Sequence, residues 1–189
     1  MSTTPPTFNS STLLQSDDFV LFQLPRHFAI DAQELQERWR SLQKMAHPDR
    51  FSMQGDAAKR LSLQWSTRIN EAYQRLKDPL RRAAYLCHLH GVEINAQTNT
   101  AMPAEFLMEQ MTWREALDDA KSSEDFDAIE QWVQSQIETT QQSIATLFER
   151  GQDVDVQAAS ALVRAWMFLE RFEQSVQDRR AAQLSHNTL

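Results

Sequence analysis

The chain has 189 residues, 41% of them hydrophobic and 24% charged, with a formal net charge of −7; this is the composition of a folded globular protein and excludes a largely disordered chain. No apolar run approaches the roughly 18 residues that span a bilayer, and residues 1–16 lack a basic start followed by a hydrophobic stretch, so the chain reads as cytoplasmic, without membrane contact. Cys87 is the only cysteine, which excludes an internal disulfide and a cysteine-built metal cage.

Residues 1–90 hold twelve Lys/Arg against nine Asp/Glu, and residues 91–189 hold seven against seventeen. This asymmetry predicts two modules facing different partners, and the acidic half argues against nucleic acid there. Only three glycines and six prolines punctuate the chain. Long stretches of 3.6-residue periodicity predict an all-α protein.

The first predicted helix runs from about Asp17 to Leu24 and is closed by Pro25. A second begins at Asp31, which caps the free amides while Glu34 reaches back as in a capping box; Leu35, Trp39, Leu42 and Ala46 share its apolar face. It ends at His47, because a residue before proline is driven out of helical geometry. A third helix, about Asp56 to Lys77, places Leu61, Trp65, Ile69, Tyr73 and Leu76 on one face. The two apolar faces close as an antiparallel hairpin with the His47–Gly55 connection at its tip. Pro79 suits the first position of a fourth helix, closed by Gly91.

Residues 92–102, with Asn95, Asn99 and Thr100, read as a linker. Helices over about Pro103–Ala120, Ser123–Arg150 and Val156–Leu184 follow, and their short connections predict a three-helix bundle. The predicted modules are therefore 17–91 and 103–184, with disordered tails at 1–16 and 185–189.

His47-Pro48-Asp49 offers an imidazole, a rigid turn and a carboxylate, but nothing nearby completes a hydrolytic triad or a metal site. Taken alone, the tripeptide could simply terminate a helix. Arg38, Lys44 and Arg50 approach one side of the tripeptide and Arg40 adds charge on the same helix, all off the Leu35/Trp39/Leu42 stripe. A cationic helix beside an exposed carboxylate can steer and lock an acidic partner that carries its own arginine. Cys87-His88-Leu89-His90 is read as helix packing and solvent exposure, since its three donors point apart and lack a distant fourth.

The segments Met45-Ala-His-Pro-Asp-Arg-Phe51 and Arg68-Ile-Asn-Glu-Ala-Tyr-Gln-Arg-Leu-Lys-Asp-Pro-Leu-Arg-Arg-Ala-Ala-Tyr-Leu86 resemble a J-domain over residues 17–90. With His88-Leu-His-Gly91 and Phe106-Leu-Met-Glu-Gln110, the chain resembles more narrowly the HscB type of co-chaperone in iron–sulfur cluster assembly, in its bacterial form. The resemblance implies a non-enzyme without a cofactor that activates the ATPase of the DnaK-type chaperone HscA and delivers the scaffold protein IscU to it. His47, Pro48 and Asp49 match the J-domain signature residue for residue, with Asp49 as the ionic contact. Arg38, Arg40, Lys44 and Arg50 would form the docking face.

On the helix starting at Pro103, setting Phe106 to zero at about 100° per residue places Trp113, Leu117 and Ala120 within about 40° of it, on the core face. Leu107, Met108, Met111, Glu115 and Asp119 fall on the opposite side, between about 100° and 220°. Three large apolar residues beside two acids form either a packing face toward the rest of the chain or a protein-binding face, which flexible methionines suit. The HscB resemblance implies that these five residues contact IscU and that Phe168, off the Leu162/Trp166/Leu169/Val176 face, joins them. Thr112 stands where that resemblance would have another acid. Trp132, Trp166 and Phe172 are predicted bundle core. A J-domain protein with another client, or a helical nucleic-acid binder using the basic face, are the alternatives; the second conflicts with the net acidity.

Overall fold

The computed structural model describes residues 14–47, 55–94 and 104–186, and they contain helices and no strand. They divide into two compact units, the first ending at Leu86 and the second beginning at Cys87.

In the first unit, α1 (Asp18–Leu21) is shorter than the expected span 17–24. Asp17 caps it by accepting from the Val20 amide at 2.9 Å, and Gln23, at φ 55°, turns the chain out of helix ahead of Pro25. The short segment before it is held in place: Arg68 donates to the carbonyls of Leu14 and Ser16 (3.2 and 2.7 Å), so the order extends into the expected tail. Residues 1–13 lie outside the described residues.

α2 (Ala32–Ala46) opens on Asp31, whose carboxylate accepts from the Gln33 and Glu34 amides. Glu34 does not reach back as expected; its carboxylate pairs with Arg38 one turn on. The helix ends at His47, which takes φ −60° and ψ 129°, the extended geometry that a following proline imposes.

α3 (Asp56–Lys77) returns antiparallel to α2. Ala46 meets Ser62, Gln43 meets Asn70, and Trp39 meets Asn70 and Tyr73, so the two helices count in opposite directions along the seam. Leu35, Leu42 and Ala46 bury against the Trp65, Ile69, Ala72 and Leu76 face. Leu61, expected in that stripe, is 38% exposed, and the adjacent Ser62 is buried in its stead. Near the hairpin tip the buried sector has rotated by one residue.

α4 (Pro79–Leu89) starts on its proline, which lacks the amide that a first helical position leaves unbonded. Its end is a Schellman motif: the Gly91 amide donates to His88 O (2.8 Å) and Val92 to Cys87 O (3.0 Å). That closure needs a left-handed residue, and Gly91, at φ 83°, adopts the conformation without a Cβ penalty. Arg82 is buried. Its Nε donates to Phe28 O at 2.7 Å, another arm bonds Leu76 O, and the guanidinium lies over the Phe28 ring. Burial pushes its pKa down to about 10, still protonated at neutral pH.

The division at Leu86 falls inside α4, ahead of the Gly91 boundary read from sequence. Within the second unit, Cys87 is fully buried and the His90 ring packs on Phe148, centroids 5.9 Å apart. Burial pushes the Cys87 thiol up to about 11, so it stays protonated.

The second unit is built from α5 (Ala104–Asp119), α6 (Ser123–Phe148), a 3₁₀ turn (Gly151–Asp153) and α7 (Val156–His186). A capping box starts α6: Ser122 Oγ accepts from the Asp125 amide, and the Asp125 carboxylate accepts from the amides of Ser122 and Lys121. Those amides hold the Asp125 carboxyl below its ordinary range. The core is Phe126, Val133, Ile137, Ile144 and Phe148 of α6 against Ala159, Val163, Trp166, Leu169, Phe172 and Val176 of α7. α5 joins through Phe106, Trp113 and Leu117, with Trp113 touching Trp132 of α6 and Phe172 of α7. Trp166 and Phe172 are core as expected, whereas Trp132 is 37% exposed because it lies at the edge where α5 leans on α6. α7 continues through His186, past the expected end at 184.

Candidate functional site

His47 is exposed at the C-terminal end of α2, placed by the helix that stops one residue before it. Pro48, Asp49 and Arg50 lie outside the described residues. Arg40 and Lys44 are exposed one turn apart in the C-terminal half of α2, where the helix dipole favours cations. Arg38 behaves differently. Its guanidinium donates to Phe22 O at 2.6 Å, bonds Gln23 O and pairs with Glu34, so it staples the segment after α1 onto α2. Of the four cations read as one surface, two are exposed together, one is committed to holding the fold, and Arg50 lies outside the described residues.

The exposed stripe of α5 is present as the angular arithmetic predicts. Leu107 is 39% exposed, Met108 70% and Met111 63%, with Glu115 and Asp119 also exposed. Thr112 is exposed beside them and its hydroxyl bonds back to Met108 O at 3.3 Å. The opposite face is held by rings: Phe106 meets Trp113 edge-on at 5.5 Å and Phe168 at 5.7 Å. Phe168 is half-buried against the core-face residue Phe106, with Arg171 over its own ring at 5.6 Å. Phe168 is thus brought to α5 on its Phe106 face, opposite Met108 and Met111. Residue spacing did not single out Arg171.

Among the described residues no group of three His, Cys, Asp or Glu side chains converges on a metal position. His88 Nδ1 faces Glu93 Oε1 at 2.5 Å, and His90 packs on Phe148. A cavity of about 580 Å³ between α3 and α4 is bordered by Glu71, Arg75, Arg81 and Tyr85, without a nucleophile beside a base. No described helix is long and apolar enough to cross a membrane.

A family model described as the HSCB C-terminal oligomerisation domain matches residues 102–177. The chain is 44% identical over 161 residues to a co-chaperone protein HscB homolog of Paraburkholderia xenovorans (strain LB400), covering 84% of this chain and 90% of the relative. The homolog of Burkholderia vietnamiensis (strain G4 / LMG 22486) is 44% identical over 166 residues, 86% of this chain and 93% of the relative. The chain belongs to the HscB co-chaperone family. The solved structure of chaperone HscB from Vibrio cholerae superposes with a TM-score of 0.76 at 31% identity, over 89% of this chain and 99% of that one. Human co-chaperone protein HscB gives 0.80 at 31% identity, over 88% and 83%. The HscB fold, an N-terminal J-domain followed by a C-terminal helical domain, accounts for both compact units, and an HscB co-chaperone works on a partner chaperone.

Proposed function

We propose that this HscB-family chain stimulates ATP hydrolysis by HscA and brings the iron–sulfur scaffold IscU to it. The observation that carries the reading is the α5 stripe: Met108 and Met111 are 70% and 63% exposed on a helix whose other face is packed. Apolar side chains kept in water on an ordered helix mark a surface that a partner covers. In this reading Leu107, Met108 and Met111, joined by Phe168, grip the scaffold, while Glu115 and Asp119 orient it. His47, Pro48 and Asp49 engage the chaperone, and Arg40, Lys44 and Arg50 steer it. Catalysis belongs to the chaperone, and the cluster is cargo carried by the scaffold.

The test is the ATPase rate of HscA with and without this chain and IscU. Stimulation should be lost with His47→Gln and with Asp49→Ala, and calorimetric binding of IscU should be lost in the Leu107→Ala/Met108→Ala/Met111→Ala triple variant. Undiminished stimulation by the first two would remove the docking assignment, and undiminished binding by the third would remove the client site.

The oligomerisation-domain description of the matching family model favours a second reading, in which the α5 stripe pairs two copies of this chain. Sedimentation equilibrium separates the two: pairing predicts a dimer that the triple variant abolishes, and client binding alone predicts a monomer in both.

A further inference from the structure

The last carbonyls of a helix have no intrahelical partner, and a buried one must find another donor. Ala46 is the final residue of α2 and only 1% exposed. Water cannot serve its carbonyl, and Pro48, two residues on, has no N–H to offer. The donor comes from the other arm of the hairpin. Ser62 Oγ, on a residue 2% exposed, donates to Ala46 O at 2.6 Å, and Ser66 Oγ one turn later approaches the same oxygen at 3.4 Å. The line continues up the seam: Gln43 Nε2 donates to Asn70 Oδ1 at 2.6 Å, and Trp39 Nε1 donates to that oxygen at 3.0 Å. Ser62, Ser66 and Asn70 recur at four-residue intervals, so a single face of α3 bonds α2 from Trp39 to its last residue.

We propose that Ser62 is the positioning residue for His47: its buried hydroxyl pins the α2 terminus from which His47 projects. The proposal rests on the docking role given to His47 above. An apolar contact at this place would hold the helices together but leave the terminus free to rotate or fray. A hydrogen bond to the final carbonyl fixes both where α2 stops and the direction in which the next residue leaves.

The experiment uses the full chain and measures HscA ATPase rate against its concentration, separating half-saturation from maximal stimulation. Ser62→Ala removes the closer of the two donors to Ala46 O, Ser62→Cys keeps size with a weaker donor, and His47→Gln tests the underlying reading. Ser62→Ala should lower maximal stimulation about three- to tenfold, the scale of one lost buried hydrogen bond when only the longer Ser66 bond to Ala46 O remains, at a temperature where circular dichroism shows it folded. Half-saturation should stay within about twofold, because the Arg40 and Lys44 face lies away from the lost bond. Ser62→Cys should fall between, and the His47 amide and Cε1–H resonances should shift in both variants. If Ser62→Ala does not fold, Ser62→Cys alone decides by the same two readouts. Full stimulation by the folded variant with unmoved His47 resonances overturns the proposal while leaving the docking role of His47 intact. Full stimulation by His47→Gln overturns both.

Discussion

The Asp18 carboxylate, with no solvent exposure at the start of α1, places Oδ2 2.7 Å from Nη1 of Arg75 on α3. Its other oxygen lies 2.7 Å from Arg68 Nη1, and its amide donates to Tyr85 Oη at 3.0 Å. One buried acid thereby joins α1, α3 and α4. A buried charge pair is costly to form and costlier to break, because the remaining partner keeps its desolvated charge. Asp18→Ala should destabilise the chain by about 3 kcal/mol, near the low end for a broken buried pair, since Arg75 is 40% exposed and can turn to water. Urea unfolding followed by circular dichroism measures this, and a loss under about 1 kcal/mol would reduce the cluster to a surface-type pair.

Arg38 and Arg40 stand two residues apart and should behave as different kinds of residue. Arg38→Ala strips Phe22 O and Gln23 O of their donor and should cost about 2 kcal/mol of stability, the scale of hydrogen bonds from a charged group. Arg40→Ala should leave the melting temperature unchanged and raise the concentration of chain needed for half-maximal chaperone stimulation, more so at low salt. Thermal melts and ATPase titrations on both variants decide. Equal effects on docking, with no loss of stability in Arg38→Ala, would restore Arg38 to the exposed cationic surface.

Opposite faces of α5 should respond oppositely to truncation. Leu117 is 9% exposed and Met111 63%, so Leu117→Ala should cost about 2–3 kcal/mol, toward the low end for a buried leucine, and Met111→Ala less than about 0.5 kcal/mol. Calorimetric titration with the scaffold should show the reverse order of damage. Thr112→Glu, which adds an acid to the stripe, should strengthen scaffold binding about two- to fivefold at low salt, as an exposed ion pair does. Unchanged affinity would place the ionic contact elsewhere on the helix.

Cys87 links stability to alkaline pH. The folded thiol titrates at about 11 because it is buried, whereas the unfolded one titrates near 9. The folded state therefore retains its proton while the unfolded state loses it. Stability is fully present below the unfolded pKa and declines as pH rises toward 11, by about 1.4 kcal/mol per unit in that window. Unfolding free energies from pH 7 to 11 should fall less steeply for Cys87→Ala than for the unmodified chain. Parallel curves would show that the thiol is not the group responsible.

The hairpin and the two-faced α5 were legible from spacing alone, since helical periodicity assigns each side chain an angle before any partner is known. Pro48 likewise dictated where α2 ends. Helix termini and long cations were less legible. Leu61 and Ser62 exchange roles near the hairpin tip, and Trp132 emerges at a bundle edge; periodicity defines a face but not where a neighbouring helix stops covering it. The fate of Arg38 depends on carbonyls freed by the left-handed turn at Gln23, a tertiary circumstance that its place on α2 does not encode. The Ser62 bond was hidden for a related reason, because a serine in a helix reads as surface until the carbonyl opposite is known to be dry.

The division of labour within α5 has a kinetic side. α6 and α7 bury the continuous core of the second unit, whereas α5 is attached through a few rings and Leu117, with its methionines turned outward. Opening free energies are lowest where few apolar contacts are buried. α5 is accordingly the helix whose amides exchange soonest with solvent deuterium, and a partner seated on Leu107, Met108 and Met111 would slow that exchange. The element least needed to hold the bundle together would then be the one whose order registers a partner seated on it.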